Sequence, residues 1–408
     1  MKCLLHIGTE KTGTTLLQHW LAENRAALGA QRVYLPTSLG TWDHRRFTAF
    51  FQTKPDDWTR RKGFKTPADK ARFFDGFPER FAAEVKEAAT AHDLCIITSE
   101  HLHSRLESIK EISSVKAYLD TIFDDINVLC YIRDQADMAV SLYSTALKTG
   151  NSAPLDQFLT RTVKPDAPYY DLRSFADRWT SVFGHDRCRF RLYDRARFPG
   201  GDLRRDVLQA LPVAVQESAL SFATESRNES LPPLVAAAYR AVNTHLPYWT
   251  EAGVSDLNVA VKVRLADLPV LQGGKIDSPL KPALRAMFAA GNAAFLAQHI
   301  PGAGDTLPAA APVPDTRTFT LPEVAAIVES TLAAVLPDVR PEPRGTLQDA
   351  DADTLRDLAI RLEQGQPTTL EDAALLMRLA LRARPGGPFI RKKLDAYAAR
   401  LAKDKPAP

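Results

Sequence analysis

The run "GTEKTGTT", Gly8 to Thr15, brings two glycines, four threonines and a lysine into eight positions. Gly8 and Gly13 allow a tight turn and a close approach of backbone to phosphate, while the hydroxyls of Thr12, Thr14 and Thr15 add donors. The glycine spacing is that of the nucleotide-triphosphate loop GxxxxGK[ST], yet Thr14 stands in the lysine slot and Lys11 sits inside the loop. A Mg·ATP enzyme so built loses its usual contact to the terminal phosphates. A second pair is Arg133 and Ser141, eight positions apart. Arginine offers a fork of donors suited to phosphate, and serine adds a hydroxyl. The competing reading pairs Arg133 with Asp134 or Asp137 and leaves Ser141 solvated. A third set holds possible proton acceptors: Glu100 and His101 in "CIITSEHLH", and His44 in "TWDHRRF".

The elements that must position these residues follow from periodicity. Apolar runs at 3–7, 94–98, 128–132 and 188–193 read as buried parallel strands. Helical patterns at 14–28, 78–92, 114–123, 136–148 and 170–183 separate them, so the expected fold is α/β, a central parallel sheet in a P-loop-like three-layer sandwich. Ligand crevices in such sheets lie beyond the carboxyl ends of the strands, which gathers the residues after Ile7, Thr98 and Ile132. Helical projection of 139–148 places Ser141, Thr145 and Lys148 away from the buried stripe. After about residue 201 helices dominate, including 231–245 and 279–300. The expected organisation is a domain over 1–300, a Pro/Ala/Gly-rich linker over 301–317, and a helical C-terminal region over 318–408 with helices at 321–336, 353–363, 370–383 and 389–401.

The loop resembles the 5′-phosphosulfate loop of sulfotransferases that use 3′-phosphoadenosine 5′-phosphosulfate (PAPS). The Arg133/Ser141 element is similar to that family's 3′-phosphate element, and "ITSEHL", "ESRNESL" and "FAAGNAAFL" look like stretches of bacterial members. The resemblance fades after about residue 300, and the downstream RKGxxGxWK segment of cytosolic animal enzymes is missing. Arg227 in "SRNESL" is the candidate to serve the 3′-phosphate in its place. The resemblance implies that Lys11 reaches the oxygen bridging phosphate and sulfate, that PAPS is the co-substrate, and that no metal is needed. An alcohol acceptor then needs a general base, for which Glu100, His101 and His44 are the candidates.

Two other classes remain open: a P-loop kinase or NTPase with a displaced lysine, and a non-catalytic nucleotide-binding module. The stretch 60–72 carries six basic residues and one acid, with Phe64 inside it and Phe73 and Phe74 close by. Such a stretch suits a basic, aromatic-lined groove for a carbohydrate acceptor. A net charge of +3 is too small to argue for a nucleic-acid partner. No apolar run approaches the ~18–20 residues of a membrane span. The four cysteines are scattered without a CxxC pair, as suits buried thiols of a cytoplasmic protein.

Overall fold

The computed structural model describes residues 1–224, 230–251, 253–311, 349–363 and 369–403. The chain divides into two compact units, 1–334 and 335–408.

The first unit is built on five parallel strands: β1 (Lys2–His6), β2 (Val33–Tyr34), β3 (Leu94–Thr98), β4 (Asp125–Ile132) and β5 (Cys188–Leu192). Their order is β2–β3–β1–β4–β5, with Leu4 opposite Ile96 on one side and Asn127 on the other. Flanked on both sides, β1 is apolar without alternation, because each of its faces is covered by helices. Cys3, Leu5 and Ile7 pack with Phe81, Val85, Ile112, Val115, Phe175 and Trp179. Those partners lie on helices Phe77–Ala88, Ile109–Leu119 and Leu172–Phe183. Leu4 points the other way, with Leu17, Trp20, Leu21 and Val207 from helices Thr14–Glu23 and Leu203–Ala210. The result is the α/β three-layer arrangement that the strand–helix alternation predicts. Trp20 and Trp179 are fully buried, one in each core. Truncating either to alanine would cost roughly 3–5 kcal/mol.

Three local departures have physical causes. The helix expected over 14–28 breaks at Asn24, whose side chain donates to the carbonyls of Trp20 and Ser221, both at 2.9 Å, and accepts the Ser221 N–H at 2.7 Å. Tertiary bonds there outbid one turn of helix. The helix expected from Ser114 starts at Ile109, because Ser108 and Glu111 cap it reciprocally. At two residues, the edge strand β2 is too short for any periodicity to show.

All four cysteines are free and buried. Burial pushes the thiols up, that of Cys188 to about 12. Residues 301–311, expected to open a linker, lie on the first unit: Leu307 joins its core, and the Ala310 N–H donates to Asp137 at 2.7 Å. The expected helix at 321–336 and the rest of the linker lie outside the described residues. In the second unit, helices Asp349–Glu363, Thr369–Ala383 and Pro388–Lys403 pack through Ala359, Ala373, Met377, Ala380, Ile390 and Tyr397. Arg384 clamps Asp349 and Asp353, and Glu363 holds Lys393 and Arg400. No helix among the described residues is long and apolar enough to cross a membrane.

Candidate active site

Connections from β1 lead toward β2 and β3, whereas those from β4 lead toward β5. The winding of the connections therefore reverses between β1 and β4, and in sheets wound this way ligands bind beyond the carboxyl ends of the strands at that point. The Gly8–Thr15 loop fills the β1 side. Its base is pinned to β4: the Thr9 N–H and Oγ1 both donate to the Tyr131 carbonyl, at 2.8 and 3.1 Å. The buried Thr12 hydroxyl donates to the Thr9 carbonyl at 2.7 Å, so it braces the loop from within. Gly13 opens helix Thr14–Glu23 in the left-handed region, at φ 76°, and no side chain caps that terminus. The first amides of a helix lack intrahelical acceptors and carry its positive end, so an uncapped terminus suits an anion. Thr14 is buried at this terminus, and Thr15 is half-buried.

Lys11 and Arg133 meet at the loop. Arg133 Nη1 donates to the Lys11 carbonyl at 2.7 Å, and its guanidinium lies 5.8 Å from the Tyr193 ring. The Lys11 ammonium donates to Thr145 Oγ1 at 2.5 Å, on the face of helix Gln135–Lys148 that also carries Ser141 and Lys148. Burial pushes the Lys11 ammonium below its ordinary range; Lys148 and Arg133 push the same way, against Glu10 and Glu100. The competing ion pairs are taken elsewhere. Asp134 caps the helix by accepting the Asp137 N–H at 2.9 Å. Arg285 reaches both acids at 3.2 Å, and Lys281 reaches Asp137 at 2.7 Å. Ser141 Oγ is 3.5 Å from Ser230 Oγ, three residues beyond Arg227, which itself lies outside the described residues.

Across the loop, Glu100 follows the end of β3. A β-carbon at Gly8 would stand 3.1 Å from the Glu100 Cα, so glycine lets the two segments touch. The buried Gln18 amide donates to Glu100 Oε2 at 2.6 Å and fixes that carboxyl. His101 Nδ1 and Arg105 Nη1 each lie 3.8 Å from Glu10 Oε1. Burial alone would raise the Glu10 carboxyl, but Arg105 and His101 hold it down at about 2. The His101 imidazole is lowered, chiefly by burial. His44 is 1% exposed and tied to β3: its N–H donates to the Thr98 carbonyl at 3.1 Å, and its Nδ1 accepts the Thr98 N–H at 3.0 Å. Burial lowers that ring to about 3. The structure thus brings Lys11, Arg133 and Glu100 to the loop and leaves His44 beneath it, with both backbone and ring engaged.

Asp43, Gln18 and Tyr193 also stand here, and motif reading passed over them; Thr145 stands on the helix face that the projection had marked out. Asp43 Oδ1 accepts from Ser99 Oγ at 3.4 Å. Burial and the Glu100 charge raise its carboxyl to about 7, against Arg45 and Ser99. Tyr193 follows β5, and a β-carbon on Gly13 would stand 3.4 Å from its hydroxyl. Its place at a strand end was a usable signal; a lone buried glutamine on an apolar helix face was not.

The basic stretch 60–72 folds as the end of helix Asp57–Arg61 and most of helix Pro67–Phe73. Phe64 and Phe73 turn toward each other and toward Trp58, with ring centroids 5.0–6.0 Å apart, and pack on the core. Arg45 and Lys62 lie 5.3 and 5.6 Å from the Trp58 ring. The aromatic faces are largely spent on one another and on cations.

No family model matches the chain. An uncharacterized protein of Archaeoglobus fulgidus is 30% identical over 139 residues, which are 34% of this chain and 36% of that protein. The chain thus spans about a third of the length of this relative. A solved sulfotransferase from Alicyclobacillus acidocaldarius aligns over 59% of this chain and 92% of its own, at 18% identity and a TM-score of 0.33.

Proposed function

We propose that the chain is a sulfotransferase that moves a sulfuryl group from PAPS to an acceptor hydroxyl. The observation that supports it most is the meeting of Lys11 and Arg133 at one uncapped helix terminus, beyond the switch point of the sheet. One ammonium, one guanidinium, the Ser141 and Thr145 hydroxyls and a helix terminus without a side-chain cap suit a nucleotide with two separated anionic groups.

In this reading the helix terminus takes the 5′-phosphate, while Arg133 and Ser141 take the 3′-phosphate, with Arg227 as a further candidate. Lys11 lies where negative charge gathers on the oxygen that bridges phosphate and sulfur. The donor supplies an activated sulfuryl group whose transfer should resemble phosphoryl transfer, with a loose, charge-spread transition state. Glu100 takes the proton of the acceptor hydroxyl. That oxygen forms the new bond to sulfur as the bond to the bridging oxygen breaks, and the electron pair leaves with adenosine 3′,5′-bisphosphate. Positioning and electrostatics therefore carry the catalysis. His44 holds the segment beside Glu100 in place, and the carbohydrate nature of the acceptor is part of the proposal.

Thermal-shift measurements with adenosine 3′,5′-bisphosphate, ADP and Mg·ATP test the reading, since a ligand of the folded state raises Tm by mass action. The bisphosphate should stabilise most, with or without magnesium. Stabilisation by Mg·ATP alone would replace this reading with a kinase or NTPase. Bisphosphate binding with no sulfate transfer to any of a broad panel of acceptors would replace it with a binding module.

A further inference from the structure

Glu10 stands inside the Gly8–Thr15 loop, one residue before the lysine. Its Oε2 accepts the Tyr169 hydroxyl at 3.0 Å, while Oε1 lies 3.8 Å from both His101 Nδ1 and Arg105 Nη1. These anchors are themselves held. Arg105 Nε donates to Asp56 at 2.8 Å, and the Asp56 carboxylate also receives Arg45. His103 Nε2 stands 3.1 Å from the Tyr169 carbonyl oxygen, and the two rings lie 4.7 Å apart. His101, His103 and Arg105 belong to one short helix, His101–Arg105, which begins directly after Glu100. Burial would raise the Glu10 carboxyl, but Arg105 and His101 hold it down at about 2, so the anchor stays charged at neutral pH. Lys11 itself is left-handed, at φ 65°, an uncommon place for a residue with a side chain. Restraints flank it on both sides: the bonded Glu10 carboxyl before it, and Arg133 Nη1 on its own carbonyl at 2.7 Å.

We propose that Glu10 is a positioning residue: its carboxylate, gripped by Tyr169 and Arg105, holds Lys11 in the left-handed conformation that aims the ammonium. The inference rests on the sulfuryl-transfer reading for what the ammonium does, and on geometry alone for how it is held. A lysine stem is flexible, so the direction of its Cα–Cβ bond decides which element the amine can reach. With the backbone turned left-handed, Glu10 and Lys11 go to different elements: Glu10 to helix His101–Arg105 and Tyr169, Lys11 to Thr145 on helix Gln135–Lys148. Freed of its tether, Lys11 would relax toward the commoner right-handed or extended backbone and carry the amine away from Thr145. The same short helix has Glu100 at its N-terminal edge, so the placing of the cation and of the proton acceptor is set from one element. Neither Glu10 nor Tyr169 needs to touch the donor for this.

Glu10→Gln keeps the shape and an acceptor for the Tyr169 hydroxyl, whereas Tyr169→Phe removes only that hydroxyl. Trypsin cuts after lysine, and a restrained left-handed residue resists it until the loop opens. Timed digestion of the full chain, with fragments assigned by mass, should show the cut after Lys11 accelerating about tenfold in either variant, as suits the loss of a charge-assisted bond. Cuts elsewhere should keep their rates, which a general loss of stability would not allow. With PAPS and an acceptor that the unaltered chain sulfates, Glu10→Ala should lower kcat by about 10²-fold, the cost of misplacing a reacting group by ~1 Å, with the donor's KM little changed. In a Lys11→Ala background the same change should add less than about threefold, since a group that acts through Lys11 then has nothing to aim. Glu10→Gln serves in this cycle should Glu10→Ala fold poorly. The role is overturned if the cut after Lys11 keeps its rate in both variants, or if the losses at positions 10 and 11 multiply in full. Absence of sulfate transfer by the unaltered chain refutes the donor reading instead, and the digestion still decides how Lys11 is held.

Discussion

Arg133 donates to the backbone carbonyl of Lys11 at 2.7 Å, so the guanidinium at the end of β4 holds the loop from which the ammonium reaches across to Thr145. A cation from each of two neighbouring strand ends therefore stands at one loop. The arrangement costs Arg133 no partner, because Arg285 and Lys281 have taken the nearby acids.

Lys11→Ala removes the only side-chain cation within the loop. Sulfate transfer to an accepted substrate should fall by about 10²–10³, the usual loss when one preorganised group on a developing charge is deleted. Bisphosphate affinity should change far less if, as proposed, the group acts chiefly on the leaving oxygen. Radiolabelled transfer assays beside calorimetry separate the two.

Arg133→Ala should weaken binding of adenosine 3′,5′-bisphosphate by about 1.5–3 kcal/mol, the value of a hydrogen bond to a charged group. Arg133→Lys should recover only part of it, since an ammonium lacks the planar fork. Calorimetric Kd values for both variants check this, and equal affinity in all three proteins would show the assignment to be wrong.

Gly13→Ala places a methyl group 2.9 Å from Leu203 Cδ2 in a left-handed backbone position. Strain of that kind costs on the order of 1–3 kcal/mol. Urea denaturation should register the loss, and bisphosphate binding should drop with it, because the same turn aims the helix terminus.

Acid should destabilise the fold well above the carboxylate range. Burial lowers His6 to about 4, His44 to about 3 and His103 to about 4. Unfolded histidine takes up a proton near pH 6.5, whereas these folded rings stay neutral, so the unfolded state binds more protons and stability falls as pH drops from about 6.5 toward 4. Glu10, held at about 2, adds a loss below about pH 4.5. Tm measured against pH should show the first decline, and His44→Asn, which keeps an acceptor for the Thr98 N–H, should reduce its slope.

The sheet was legible because buried strands are dense in apolar residues: 94–98 is read to the residue, and β1 and β5 to within one. β4 extends three residues earlier than expected, since Asp125, Ile126 and Asn127 pair with β1 although their composition is mixed. Motif spacing led to Lys11 and Arg133, and the end of a strand pointed to Glu100; all three stand at or just beyond strand ends. Asp43 stayed hidden because its place beside the loop comes from a turn closed by Gly40 and from Ser99, more than fifty positions away. The aromatic character of the basic stretch was plain, but which way its rings face is a matter of tertiary packing.

Leu307 and the Ala310 amide have a practical consequence for anyone shortening the chain. A version cut after residue 300 would strip an apolar plug from the interior and deprive Asp137 of a donor. A version that keeps residue 311 retains both, and should be the more soluble and the better-behaved starting material for crystals of the first unit.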